Sequence, residues 1–173
     1  DRLAIMGGSN GGLLMGATLT QRPDLARTVV SYVGIYDMLR VELSANGVFN
    51  IPEFGTVQDP DQFRALYAYS PYHNVEPGTD YPAVLFLTGA NDPRVDPMQS
   101  RKMTAMLQDA TRTVEDPNLV LLRTSMDTGH RQFSGALMLI LGRCPKEREN
   151  KCARLEFPPE LDSRMATWTQ PKR

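Results

Sequence analysis

Cysteine and histidine are scarce in this sequence. Cys144, Cys152, His73 and His130 are all that 173 residues contain. Two cysteines cannot build a disulfide framework, and with two histidines at these separations they match no zinc spacing, so no metal is expected. An excess of one charge is lacking too. Lysine and arginine number 19 against 20 aspartates and glutamates, a net charge of -1, which gives no general attraction to nucleic acid or to an anionic membrane; neither is expected as a partner. The longest strongly apolar run, Ala136 to Leu141, falls far short of the roughly 20 residues that cross a bilayer. The chain opens at Asp1 without an initiator methionine or a signal peptide and runs straight into strand-like residues, which reads as a fragment whose upstream part is missing. Apolar residues at 41% and charged residues at 23% fit a globular chain of one domain or part of one.

Four short apolar runs read as buried parallel strands: Leu3 to Met6, Thr28 to Val33, Ala83 to Thr88 and Leu119 to Thr124. They are nearly continuous rather than alternating, as when helices cover both faces of a sheet. Helical patterns lie between them. Asp59, Pro60 and Gln62 suit the N-cap, N1 and N3 positions of a helix through Tyr67, and Asp96, Pro97 and Gln99 repeat that arrangement before Met103, Met106, Leu107 and Ala110. The alternation predicts an α/β fold: a mostly parallel sheet with helices on both faces and right-handed crossovers. Val41 to Thr56, rich in turn formers, fits no regular element and reads as a long loop after a strand, where such folds keep ligand contacts.

Composition shifts near His130. Residues 1–130 carry 10 basic and 15 acidic residues, whereas 131–173 carry 9 and 5 together with both cysteines and the only tryptophan, Trp168. Arg143 to Arg154 holds seven charged residues and a proline, which leaves no apolar stripe for a helix to bury. The expected organisation is a domain portion over 1–130 and a divergent, loosely held tail over 131–173 that is not native to the fold and is consistent with a changed reading frame.

Gly7-Gly8-Ser9-Asn10-Gly11 follows the first strand and opens a helix through Leu19. This is Gly-x-Ser-x-Gly in the strand-turn-helix setting of a nucleophile elbow. Small flanking residues permit the tight turn, and the backbone amides at the helix start can face an oxyanion. A phosphate-binding loop fits less well, because Gly12 is followed by Leu13 and Leu14 rather than by lysine and a hydroxyl residue. A plain glycine-rich turn is the remaining alternative. An elbow calls for an acid and then a histidine at later strand ends. After the third strand the candidates are Asp92 and Asp96; Asp96 is committed to a helix start, leaving Asp92. After the fourth strand stands His130, the candidate base. His73, in Ser70-Pro71-Tyr72-His73-Asn74-Val75, reads as a turn or surface residue.

The segments Gly7 to Leu14, Gln21-Arg22-Pro23-Asp24-Leu25, Glu53-Phe54-Gly55, Ser70 to Val75 and Leu87 to Val95 together resemble the prolyl oligopeptidase family of serine peptidases, in the family's order up to His130. The resemblance implies the C-terminal half of an α/β-hydrolase domain with Ser9 as nucleophile, Asp92 as orienting acid and His130 as general base. It further implies Asn10 as a backbone oxyanion donor, Arg94 as a ligand for a substrate carbonyl, and Ile35, Phe54 and Val95 as walls of the pocket for the residue before the cut. By periodicity alone those three apolar residues could equally be core, and Arg94 a surface ion-pair residue. Short peptides are the implied substrates, cut after proline or a small apolar residue, and no cofactor is implied.

Four departures from the family pattern bear on that reading. A second oxyanion donor, a tyrosine, and a β-propeller domain both belong upstream of Asp1. Asn50 stands where studied members stack a tryptophan on the substrate proline. Arg131 replaces the glycine that usually follows the histidine. A dipeptidyl- or acylaminoacyl-type peptidase or an esterase of the same fold is the alternative activity, and an inactive fragment the alternative to any activity; the chain alone is expected to hydrolyse peptides weakly or not at all.

Overall fold

A computed structural model describes residues 2–115 and 117–130. The expectations for 131–173 fall outside these residues. Four strands, β1 (Ala4–Gly8), β2 (Thr28–Tyr32), β3 (Ala83–Gly89) and β4 (Val120–Ser125), form one sheet in the order β1-β2-β3-β4, with every pair parallel. Among the described residues four α-helices accompany them: α1 (Asn10–Gln21), α2 (Ile51–Phe54), α3 (Pro60–Tyr69) and α4 (Met98–Ala110). All four strands fall within two residues of the apolar runs that predicted them.

Pairing aligns Ile5, Val29, Val84 and Val120 in one row across the sheet. With Phe86 they form one side of the main core, and Met15 and Leu19 of α1 and Met103 and Leu107 of α4 form the other. Each such aliphatic side chain contributes roughly 1.5–3 kcal/mol by leaving water. Both helices therefore share a single face. The reason lies in strand order: each parallel step runs the same way, so crossovers of one hand lay their helices on one side. No described helix packs on the opposite face, which carries Met6 and Leu121, 65% and 47% exposed.

The N-cap of α3 is as the sequence predicts, with Asp59 Oδ1 accepting the Asp61 and Gln62 amides and Pro60 following. α4 starts one residue later than predicted, at Met98, although Asp96 Oδ1 still accepts the Met98 amide at 2.8 Å. The expectation that Val41 to Thr56 lacks regular structure needs correction. The chain winds there through 3-10 turns at Val41–Leu43 and Gly47–Asn50 and then α2. Such short turns rest on tertiary contacts that leave no periodic trace.

Ser31 Oγ and the Tyr36 hydroxyl lie 2.6 Å apart beneath the start of α1, and Ser31 Oγ donates to the Gly12 carbonyl at 3.3 Å. Burial pushes the Tyr36 phenol up, so it remains a neutral partner. Tyr36 also meets Phe86 edge-on at 5.2 Å. The start of α1, the end of β2 and, through Phe86, β3 are thereby locked together.

Candidate active site

Ser9 is the single residue between β1 and α1, with φ 56° and ψ -120°. A non-glycine residue there is strained, and the neighbouring backbone must hold it. Its amide donates to the Tyr32 carbonyl at 3.0 Å, and its own carbonyl accepts the amides of Gly12 and Leu13. Serine before a helix usually caps it with its hydroxyl. Here the hydroxyl makes no cap bond. Ser9 Oγ instead lies 3.0 Å from His130 Nε2.

The elbow's glycines are unequal. A Cβ on Gly7 would sit 2.3 Å from the Gly11 carbonyl oxygen, whereas one on Gly11 would meet nothing within 4 Å. Gly7→Ala is therefore expected to cost roughly 1–3 kcal/mol through overpacking against backbone. Gly11→Ala, inside a helix, should be neutral or stabilising by up to about 1 kcal/mol. Urea unfolding of the two variants checks this; equal losses would contradict it.

The acid arrives from the loop after β3. Asp92 Oδ1 accepts the amides of Arg94 and Val95 at 2.8 and 3.1 Å, which turns Oδ2 toward His130 Nδ1 at 2.8 Å. Its side chain is inaccessible to solvent and that of His130 is 9% exposed. His130 lies on the loop after β4, and the two loops are stitched together. Ala90 and Asn91 donate their amides to the Ser125 and Thr128 carbonyls, and Asn91 Nδ2 donates to the Met126 carbonyl at 2.8 Å. A carboxylate at Nδ1 favours the tautomer with its proton there, leaving Nε2 to accept from the serine hydroxyl. Asp96 has no part in this chain of bonds.

Ile35, Val95 and half-buried Phe54 gather in a second apolar cluster with Leu13, Met38 and Leu66. Leu13 stands in the first turn of α1, so the cluster adjoins the elbow. Arg94 is exposed in the acid loop. Asn50 closes the second 3-10 turn, and Asn46 Nδ2 donates to the Pro93 carbonyl, tying that segment to the acid loop. Asn10 Nδ2 donates to Glu53 Oε1 at 2.7 Å. Among the described residues no group of three or more His, Cys, Asp or Glu side chains is placed to hold a metal ion.

Sequence reasoning missed Asp37. Its side chain is 2% exposed and faces Lys102, Arg40 at 3.2 Å and, at 3.9 Å, His73 Nε2. The Tyr36 and Asp37 amides both donate to Gln99 Oε1, and Lys102 sits over the Tyr72 ring. His73 does lie in a 3-10 turn, Pro71–Asn74, but it is half-buried, with Nδ1 2.8 Å from Ser70 Oγ. This cluster fixes the loop that carries Ile35 and Met38. Arg40 follows Asp37 by three residues, but His73 and Lys102 come from segments up to 65 positions away, with no local signal linking them.

A family model described as "Prolyl oligopeptidase family" matches residues 1–139. A prolyl endopeptidase of Dictyostelium discoideum is 43% identical over 137 residues, and one of Elizabethkingia miricola is 44% identical over 131. These matches cover 78% and 75% of this chain, which in turn spans only 18% of each relative's length. Among solved structures, one from a study titled as an analysis of two prolyl endopeptidases is 48% identical with a TM-score of 0.70, covering 74% of this chain and 18% of that one. Oligopeptidase B from Leishmania major is 30% identical with a TM-score of 0.66, covering 74% and 18%.

Proposed function

The chain belongs to the prolyl oligopeptidase family, and on that premise we propose that it is the C-terminal half of a serine peptidase's α/β-hydrolase domain, cutting short peptides after proline or a small apolar residue. The observation that carries this reading is the continuous chain of hydrogen bonds from Ser9 Oγ through His130 to Asp92. In the proposed reaction Ser9 Oγ attacks the substrate carbonyl carbon as His130 Nε2 takes its proton. The oxygen of the tetrahedral intermediate receives the Asn10 amide. When the intermediate collapses, the C–N bond breaks and His130 returns the proton to the leaving amine. Water repeats the sequence on the acyl-enzyme, releasing the acid and restoring Ser9. Asp92 holds the imidazole and stabilises its charged form. Binding falls to Arg94, for a substrate carbonyl, and to Ile35, Phe54 and Val95, whose common cluster supplies an apolar wall.

The substrate class is tested in a protein of the relatives' full length carrying this segment. Offered a set of short peptides that each hold one proline, it is expected to cleave on the carboxyl side of that residue. Cleavage only two residues from the amino terminus, or only of esters, would overturn this reading in favour of the related activities. A propeller domain upstream is part of the proposal for the full-length protein.

A further inference from the structure

Resting on the peptidase reading above, we propose that Glu53 is a positioning residue, clamping the pocket-bearing segment to the first turn of α1 through Asn10. α2 has four residues and no fully buried side chain. A helix that short does not sustain itself and stays where its contacts hold it. On its far side the chain is anchored, with the Thr56 amide donating to Gln62 Oε1 at 2.8 Å and the Val57 amide to Glu42 Oε2 at 3.3 Å. Gly55 at φ 96° makes the sharp exit toward those anchors. On the near side stands the Asn10–Glu53 bond, next to the serine and one residue before Phe54.

The arrangement gives Asn10 two separate tasks. Its backbone amide is the proposed oxyanion donor, and its side chain reaches back to the wall of the pocket. A carboxylate acceptor strengthens such a bond relative to a neutral one. The Glu53 charge also, second to burial, raises the Tyr69 phenol. Because Glu53 itself is exposed, its contribution lies in where it holds Phe54 and not in burial of its own.

Hydrogen exchange on this chain tests the clamp without requiring catalysis. Glu53→Ala and Asn10→Ala are each expected to speed exchange of the amides of residues 51–56 about fivefold to tenfold, as loss of one hydrogen bond implies. The double variant should be no faster than either single one. Glu53→Gln, which retains the acceptor, should stay near the parent, and β2 and β3 should be unchanged in all four. Additive effects in the double variant, equal acceleration in Glu53→Gln and Glu53→Ala, or no acceleration would overturn the proposal. In a protein of full length, Glu53→Ala is expected to raise KM for a proline peptide about fivefold, with kcat and fluorophosphonate labelling of Ser9 within about twofold of the parent. A parent whose Ser9 is not labelled would refute the peptidase reading instead, and exchange would still decide the clamp.

Discussion

Asp92→Asn is expected to lower turnover in a full-length enzyme about ten-thousandfold, while Asp96→Asn leaves it within about tenfold. The difference follows from what each carboxylate touches. Asp92 Oδ2 lies 2.8 Å from His130 Nδ1, and its Oδ1 is occupied by two backbone amides. An asparagine at position 92 would keep both of those donors on its side-chain oxygen and present its nitrogen to the imidazole, which stabilises the tautomer that cannot accept the serine proton. Asp96 Oδ1 accepts the Met98 amide, a bond the asparagine oxygen can also accept, so this replacement touches only the start of α4 and changes stability by about a few tenths of a kcal/mol. Steady-state kinetics and urea unfolding on both variants separate the effects. Equal catalytic losses would contradict the assignment.

Asp37→Ala is expected to cost about 3 kcal/mol, toward the lower end for breaking a buried ion cluster because Arg40 and Lys102 are partly exposed. The cluster also sets how stability responds to acid. Burial alone would raise the Asp37 carboxyl, but the Lys102 hydrogen bond and charge, with His73 and Arg40, outweigh it and hold the group below its ordinary range. That contribution is present above the unfolded value of about 3.9 and is lost as pH falls through the lower folded value. Burial depresses His73 despite the nearby Asp37 charge. The unfolded chain therefore takes up a proton first, and stability declines as pH falls below about 6.5. Urea midpoints from pH 8 down to acid should fall in both ranges for the parent, and Asp37→Ala should lose the step at the lower pH. A loss below about 1 kcal/mol at neutral pH would mean the cluster does not hold the fold together.

The strands were legible because a sheet buried by parallel packing writes itself as unbroken apolar runs, as in Thr28 to Val33 and Ala83 to Thr88. The elbow was legible because its turn admits few residue types, and Asp92 and His130 because strand ends are where such folds present side chains. Placement of α1 and α4 on one face was not, since it depends on strand order, which no local pattern encodes. Nor were the turns between Val41 and Phe54: Asn46, Gly47, Asn50 and Pro52 announce irregularity without stating its shape. The Asp37 cluster was hidden for a third reason. A lone aspartate followed by Arg40 at i+3 carries no mark of burial until His73 and Lys102 converge on it from separate segments.

The proposed mechanism requires that His130 activate Ser9. Its most direct test is mass-spectrometric mapping of fluorophosphonate adducts on this chain beside Ser9→Ala and His130→Ala. Selectivity for Ser9 and the comparison with His130→Ala decide the outcome, not the absolute rate of labelling. An adduct is expected on Ser9 alone, absent in Ser9→Ala and strongly slowed in His130→Ala. Adducts spread over Ser31, Ser44, Ser70 and Ser100 as readily as Ser9, or an undiminished rate without His130, would contradict it.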